Sequence, residues 1–66
     1  MYTYLVEFKG VHYQKEYYFE ELDTALIFCR KVFKYQSDYI SDIFIYRSTD
    51  NPKIWQLISS TSIYTY

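Results

Sequence analysis

Tyr4-Leu5-Val6-Glu7-Phe8-Lys9-Gly10-Val11-His12-Tyr13 decides how this chain is read. Apolar and polar residues alternate up to Lys9-Gly10 and alternate again after it. That is the pattern of two strands joined by a tight turn, with glycine supplying the positive φ such a turn asks for. Working outward, the pattern predicts strands over 2–8 and 11–19. The expected pairs are Phe8 with Val11, Val6 with Tyr13, Tyr4 with Lys15 and Tyr2 with Tyr17. One face then carries Tyr2, Tyr4, Val6, Phe8, Val11, Tyr13, Tyr17 and Phe19, and the other carries Glu7, His12, Gln14 and Glu16. A sheet packed on one face and wet on the other has this signature. Lys15 is the discordant member, expected at the rim.

Beyond Phe19 the period changes from two to 3.6. Leu22, Ala25, Leu26, Cys29, Val32 and Phe33 form one apolar stripe, predicting a helix over 21–36. Glu20, Glu21 and Asp23 lie at its start and Arg30, Lys31 and Lys34 toward its end, as the helix dipole favours. Residues 39–47 and 53–59 predict a second hairpin around Ser48-Thr49-Asp50-Asn51-Pro52. With Arg47 opposite Lys53, Ile45 faces Trp55 and Ile43 faces Leu57. Phe44, Tyr46, Ile54 and Ile58 then share the reverse face, which is also apolar. The tail from Ser60 to Tyr66 either adds a fifth strand or lies over one face.

The expected architecture is one α+β domain over 1–66, a ββαββ order with one helix on one face of a four- or five-stranded sheet. Its core should be Tyr4, Val6, Phe8, Leu26, Cys29, Val32, Phe33, Ile43, Ile45 and Leu57. The element order, with Lys31-Val32-Phe33-Lys34 near the helix end, resembles the immunoglobulin-binding domain of protein G. That resemblance implies a β-grasp sheet with adjacent terminal strands and brings no binding residues with it. A meander order is the alternative.

Composition narrows the functional classes. The 66 residues include ten tyrosines, five phenylalanines and one tryptophan. A domain this small buries only about 60% of the surface its unfolded chain exposes, so some rings must lie at the surface or at an interface. The formal net charge is −1, whereas a protein devoted to non-specific DNA binding is normally basic. The lone Cys29 cannot form an internal disulfide, Met1-Tyr2-Thr3-Tyr4 lacks a basic signal-peptide start, and no apolar run is as long as a membrane span. Together these predict a cytoplasmic protein.

No nucleophile–base–orienter set is legible, so the chain is expected not to be an enzyme and to carry no cofactor or metal. His12 should make an exposed pair with Glu7. Cys29 reads as a small core hydrophobe. The favoured function is a protein-interaction module with an aromatic surface, in the manner of a phage- or plasmid-borne inhibitor that occludes a host enzyme or defence protein. Phe44, Tyr46, Ile54 and Ile58 are its expected contact patch, with Phe28 and Tyr35 on the helix flank as the second. The alternatives are a nucleic-acid accessory protein using Arg30, Lys31 and Lys34, and a homodimer packed through its sheet faces.

Overall fold

A computed structural model describes residues 3–36 and 38–62. It contains β1 (Tyr4–Lys9), β2 (Gln14–Phe19), α1 (Leu22–Gln36), β3 (Asp42–Ser48) and β4 (Trp55–Ser62). The ββαββ order and the single helix on a four-stranded sheet are as the sequence predicts. The strand order is β2-β1-β3-β4, antiparallel throughout. β1 therefore neighbours β3, not the last strand, which differs from the β-grasp order and from a simple meander.

The reason lies in the two inner strands. β1 is apolar on both faces over Leu5-Val6 and Phe8, and β3 is apolar on both over Ile43-Phe44-Ile45-Tyr46. Strands of that kind gain most from a central position, flanked on both edges and covered on both faces. β2 carries Lys15 and Glu16, suited to an edge. Because β2 and β3 both oppose β1, they run parallel to each other, and α1 is the crossover between them.

Both hairpin registers differ from the expected ones. In the first, Tyr4 pairs with Phe19, Val6 with Tyr17 and Phe8 with Lys15, so the connection runs from Gly10 to Tyr13 and is closed by Gly10 N–H donating to the Tyr13 carbonyl at 2.7 Å. The slip is even, so Tyr17 and Phe19 keep their face while Val11 moves into the loop, 89% exposed. Gly10 has no positive φ. It is required because a Cβ there would run into the Tyr39 carbonyl oxygen. Next to this close approach, Ser41 N–H donates to the Lys9 carbonyl at 2.8 Å.

In the second hairpin, Ser48 pairs with Trp55 and Tyr46 with Leu57. The slip is odd near the turn, and an odd slip exchanges faces. Trp55 and Leu57 therefore join Tyr46 on the face away from the helix. A bulge at Ile58 restores the alternation, so that Ile45 meets Ser59 and Ile43 meets Thr61. The connecting loop is longer than expected and is folded on its own polar groups. The Thr49 hydroxyl lies 2.8 Å from the Ile54 carbonyl oxygen, and Lys53 N–H donates to Asn51 Oδ1 at 3.0 Å. Ser60–Ser62 belong to β4, whereas Ile63, Tyr64 and Tyr66 of the expected tail strand, like Tyr2, lie outside the described residues.

The core lies between α1 and the β1/β2 half of the sheet. Val6, Phe8, Ala25, Cys29, Ile40, Ile43 and Ile45 are buried, with Tyr13, Tyr17, Phe19, Leu22, Phe28 and Val32 packed against them. The expected members Leu26, Phe33 and Leu57 are not core, being 38%, 43% and 50% exposed, and Tyr4 is half-buried outside the cluster. The helix is turned so that Ala25, Phe28 and Cys29 face the sheet, and the ring of Phe28 meets those of Phe8, Tyr17 and Phe19 at centroid distances of 6.0, 4.6 and 5.2 Å. Three aromatic partners on β1 and β2 draw the helix to that side. Opposite β3, the helix-side residues of β4 are only Ser59 and Thr61, which offer nothing to pull it back. Ile40, fully buried, plugs the end of the layer where the chain leaves the helix.

Candidate interaction surface

The offset helix leaves β4 poorly covered, and an apolar surface wraps around that edge strand from both sides. On the helix side a groove of about 330 Å³ is lined by Leu26, Cys29, Arg30, Phe33, Ile43, Ile45, Ser59 and Thr61. Its floor is the aliphatic pair from β3, its wall is the flank of α1, and its far rim is the small side chains of β4. Cys29 sits at the bottom, and burial pushes its thiol pKa up, so it is a neutral, poorly nucleophilic group at physiological pH.

On the other face, Phe44 and Tyr46 are half-buried with ring centroids 6.5 Å apart. Tyr18 from β2 and Trp55 from β4 meet across the sheet at 6.0 Å, over Leu5. Beneath Phe44 and Tyr46 lies Glu7, buried although it points away from the helix. Its carboxylate accepts from Gln14 Nε2 at 3.2 Å and from the Tyr46 hydroxyl at 3.3 Å, and Lys9 Nζ lies 3.8 Å away. Lys9 also sits over the Phe44 ring, 5.6 Å from its centroid. Burial first, then the negative charge and hydrogen bond of Glu7, raise the pKa of Tyr46. This is a second, thinner packing layer built from aromatic bodies and one satisfied carboxylate.

The expected contact residues are thus divided. Phe44 and Tyr46 do share the face away from the helix. Ile54 is in the loop before β4 and Ile58 is the bulge residue, 56% and 41% exposed respectively. The residues that join Phe44 and Tyr46 are Trp55 and Leu57, an exchange that follows from the odd register. Phe28 is not on an outer flank, because its ring is held among three others. Tyr35 is outside, 77% exposed, with Lys34 Nζ 5.8 Å from its ring centroid.

Arg30, Lys31 and Lys34 are all exposed, but only Arg30 lines the groove. His12 does not meet Glu7, which pairs with Glu16. It lines a separate hollow of about 240 Å³ with Asp38, Tyr39 and Ser41, beside the β1–β2 loop. Among the described residues no three of His, Cys, Asp and Glu are grouped as a metal would need, and no helix is long and apolar enough to cross a membrane.

Sequence reasoning missed the groove because it assumed that the helix stripe would centre on the sheet. The signal was present in the Ser59-Ser60-Thr61-Ser62 run, which cannot supply an apolar layer to the helix. No protein-family model matches the chain, and neither a curated protein nor a solved structure matches it.

Proposed function

We propose that this protein is a non-catalytic protein-interaction module whose contact region is centred on β4. One observation carries the reading. Five large apolar side chains, Leu26, Phe33, Ile54, Leu57 and Ile58, are between 38% and 56% exposed, and all lie on or beside the half of the fold that the helix leaves uncovered. Grouped apolar exposure of this kind marks association sites. Two packing layers hold the surrounding backbone in place, so the surface is preorganised and little conformational entropy is lost on binding. The finer reading is an inhibitor that holds or occludes its partner, of the kind carried by phages and plasmids. A small rigid domain with its one thiol held neutral suits that role.

Photo-cross-linking tests it. A benzophenone side chain at Leu57 should give a discrete protein adduct in extract of the source cells, and one at Lys15 on the opposite edge should not. Equal adducts from both positions, or none from either, would remove β4 as the contact region.

A further inference from the structure

The groove and the edge of β4 form one unit, and the geometry points to its occupant. We infer that β4 and the flank of α1 accept an extended peptide segment of a protein partner, apolar at alternate positions and carrying a carboxylate opposite Arg30. The inference rests on the interaction reading above and names the class of partner.

Three features argue for a strand. First, β4 spans eight residues, Trp55–Ser62, with no charge, proline or glycine, and lies at the sheet edge. Natural edges are normally guarded by such residues or by bulges. The opposite edge, β2, has Lys15 and Glu16, whereas β4 carries the bulge at Ile58 alone, with regularly paired residues on both sides of it. An extended segment pairs with an open edge through main-chain hydrogen bonds, and pockets for its alternate side chains give selectivity.

Second, among the described residues the layer over β4 is incomplete. An added strand would lie about 4.8 Å beyond β4. Its helix-side residues would lean across Ser59 and Thr61, which are small enough to let them through, and reach Leu26 and Phe33. A second copy pairing through its own β4 would present Ser59 and Thr61 again, leaving Leu26 and Phe33 uncovered. The occupant must supply the large side chains that this strand lacks.

Third, the charge at the groove has one sign. Arg30 is the sole charged residue among those lining it, is exposed, and has no ion-pair partner among the described residues. Lys34 follows it by one helical turn. A carboxylate on the incoming segment complements this rim, and a basic segment is repelled.

Selection of random octapeptides displayed on phage, against the intact protein, tests the inference. The enriched sequences should alternate apolar residues and favour Asp or Glu at one fixed position. A synthetic consensus peptide, followed by fluorescence anisotropy, should bind wild type and slow amide exchange along Trp55–Ser62. Ser59→Leu, which fills the groove from within, should weaken binding at least tenfold. Arg30→Glu should shift the selected charge from acidic to basic, a change that loss of folding would not produce.

Several results would overturn the proposal: no enrichment, a consensus without alternation, or equal binding to Ser59→Leu. So would a concentration-dependent dimer, seen by sedimentation, that Ser59→Leu dissociates, since the occupant would then be a second copy. If Leu57 cross-links a protein while no peptide is selected, the peptide inference fails and the interaction reading stands. If cross-linking also fails, both fall.

Discussion

The Tyr46 hydroxyl donates to the Glu7 carboxylate at 3.3 Å on the sheet face away from the helix. The bond explains how a carboxylate comes to be buried on a face with no helix over it. Glu7 lies on the central strand between Glu16 and Phe44, and the Phe44 and Tyr46 side chains extend over it. Gln14 and Lys9 complete its partners. A buried acid left without such partners would cost several kcal/mol, so the contacts must form together with the sheet.

Tyr46→Phe keeps the ring and deletes the donor. It should cost about 1–2 kcal/mol: a hydrogen bond to a charged group is worth about 1.5–3 kcal/mol net, and a 3.3 Å bond at a part-buried site falls at the low end. The pH dependence follows from the raised pKa of Tyr46. In the unfolded chain this phenol titrates near its ordinary 10.0, and in the fold at a higher value. The folded protein thus holds the proton more tightly, so the contribution is complete below pH 10 and is lost as pH rises through the folded value. Urea midpoints measured across this range should fall more steeply for wild type than for Tyr46→Phe. Tyr13, raised mainly by its own burial, titrates in both proteins and cancels in the comparison. Parallel curves would mean that the Tyr46 hydroxyl is neither desolvated by the fold nor coupled to Glu7.

Phe8 and Phe33 should respond very differently to truncation. Phe8 is fully buried and touches Tyr17 and Phe28, so Phe8→Ala should cost about 3–5 kcal/mol. Phe33 is 43% exposed on the groove rim, and Phe33→Ala should cost about 1 kcal/mol or less. Denaturant titrations of the two variants give the order directly. Similar losses would place Phe33 back in the core and close the groove.

Much of the fold was legible, for identifiable reasons. Each element has a strong local period, so ββαββ could be read from Tyr4–Phe19, Leu22–Phe33 and Ile43–Leu57. The even slip in the first hairpin preserved the faces of Tyr17 and Phe19, so the error in the turn did no harm. The odd slip in the second moved Leu57 and Trp55 across the sheet. Local alternation cannot detect such a slip, because it was set by the Thr49–Ile54 loop and corrected by the Ile58 bulge. Strand order was lost for a different reason. The double-sided apolarity of β3 is visible in the sequence, but it fits an exposed patch as well as a central strand, and only the pairing with β1 decides between them. Phe44 and Tyr46 therefore came out on the right face, whereas the groove beside Leu26 and Phe33 depends on a helix offset that only the packed aromatic cluster around Phe28 determines.

Gly10→Ala should destabilise the fold by about 1–3 kcal/mol through overlap and not through φ. The added methyl would meet a main-chain oxygen, that of Tyr39, so trimming the Tyr39 side chain cannot relieve it. The double variant Gly10→Ala with Tyr39→Ala should melt no higher than Gly10→Ala alone. A rescue by Tyr39→Ala would show that the contact is made by the ring. A neutral Gly10→Ala would mean that the loop and the chain after α1 approach less closely than they do here.

Ser59→Leu should stabilise the isolated protein. Ser59 pairs with Ile45 on the helix side of β4, and the space above it is the groove between Leu26 and Phe33. A leucine there covers aliphatic surface of β3 and the helix flank without displacing a packed atom. Full burial of such a side chain is worth about 1.5–3 kcal/mol, and the half-open groove should return about 1 kcal/mol. The gain should depend on the groove: in a Leu26→Ala background, where one wall is cut back, Ser59→Leu should gain less. Thermal melts of the four proteins in that cycle measure the coupling between the positions. Additive effects would separate Ser59 from Leu26. A loss of stability in Ser59→Leu alone would mean that α1 already packs onto β4, leaving no room for a partner's side chain to enter.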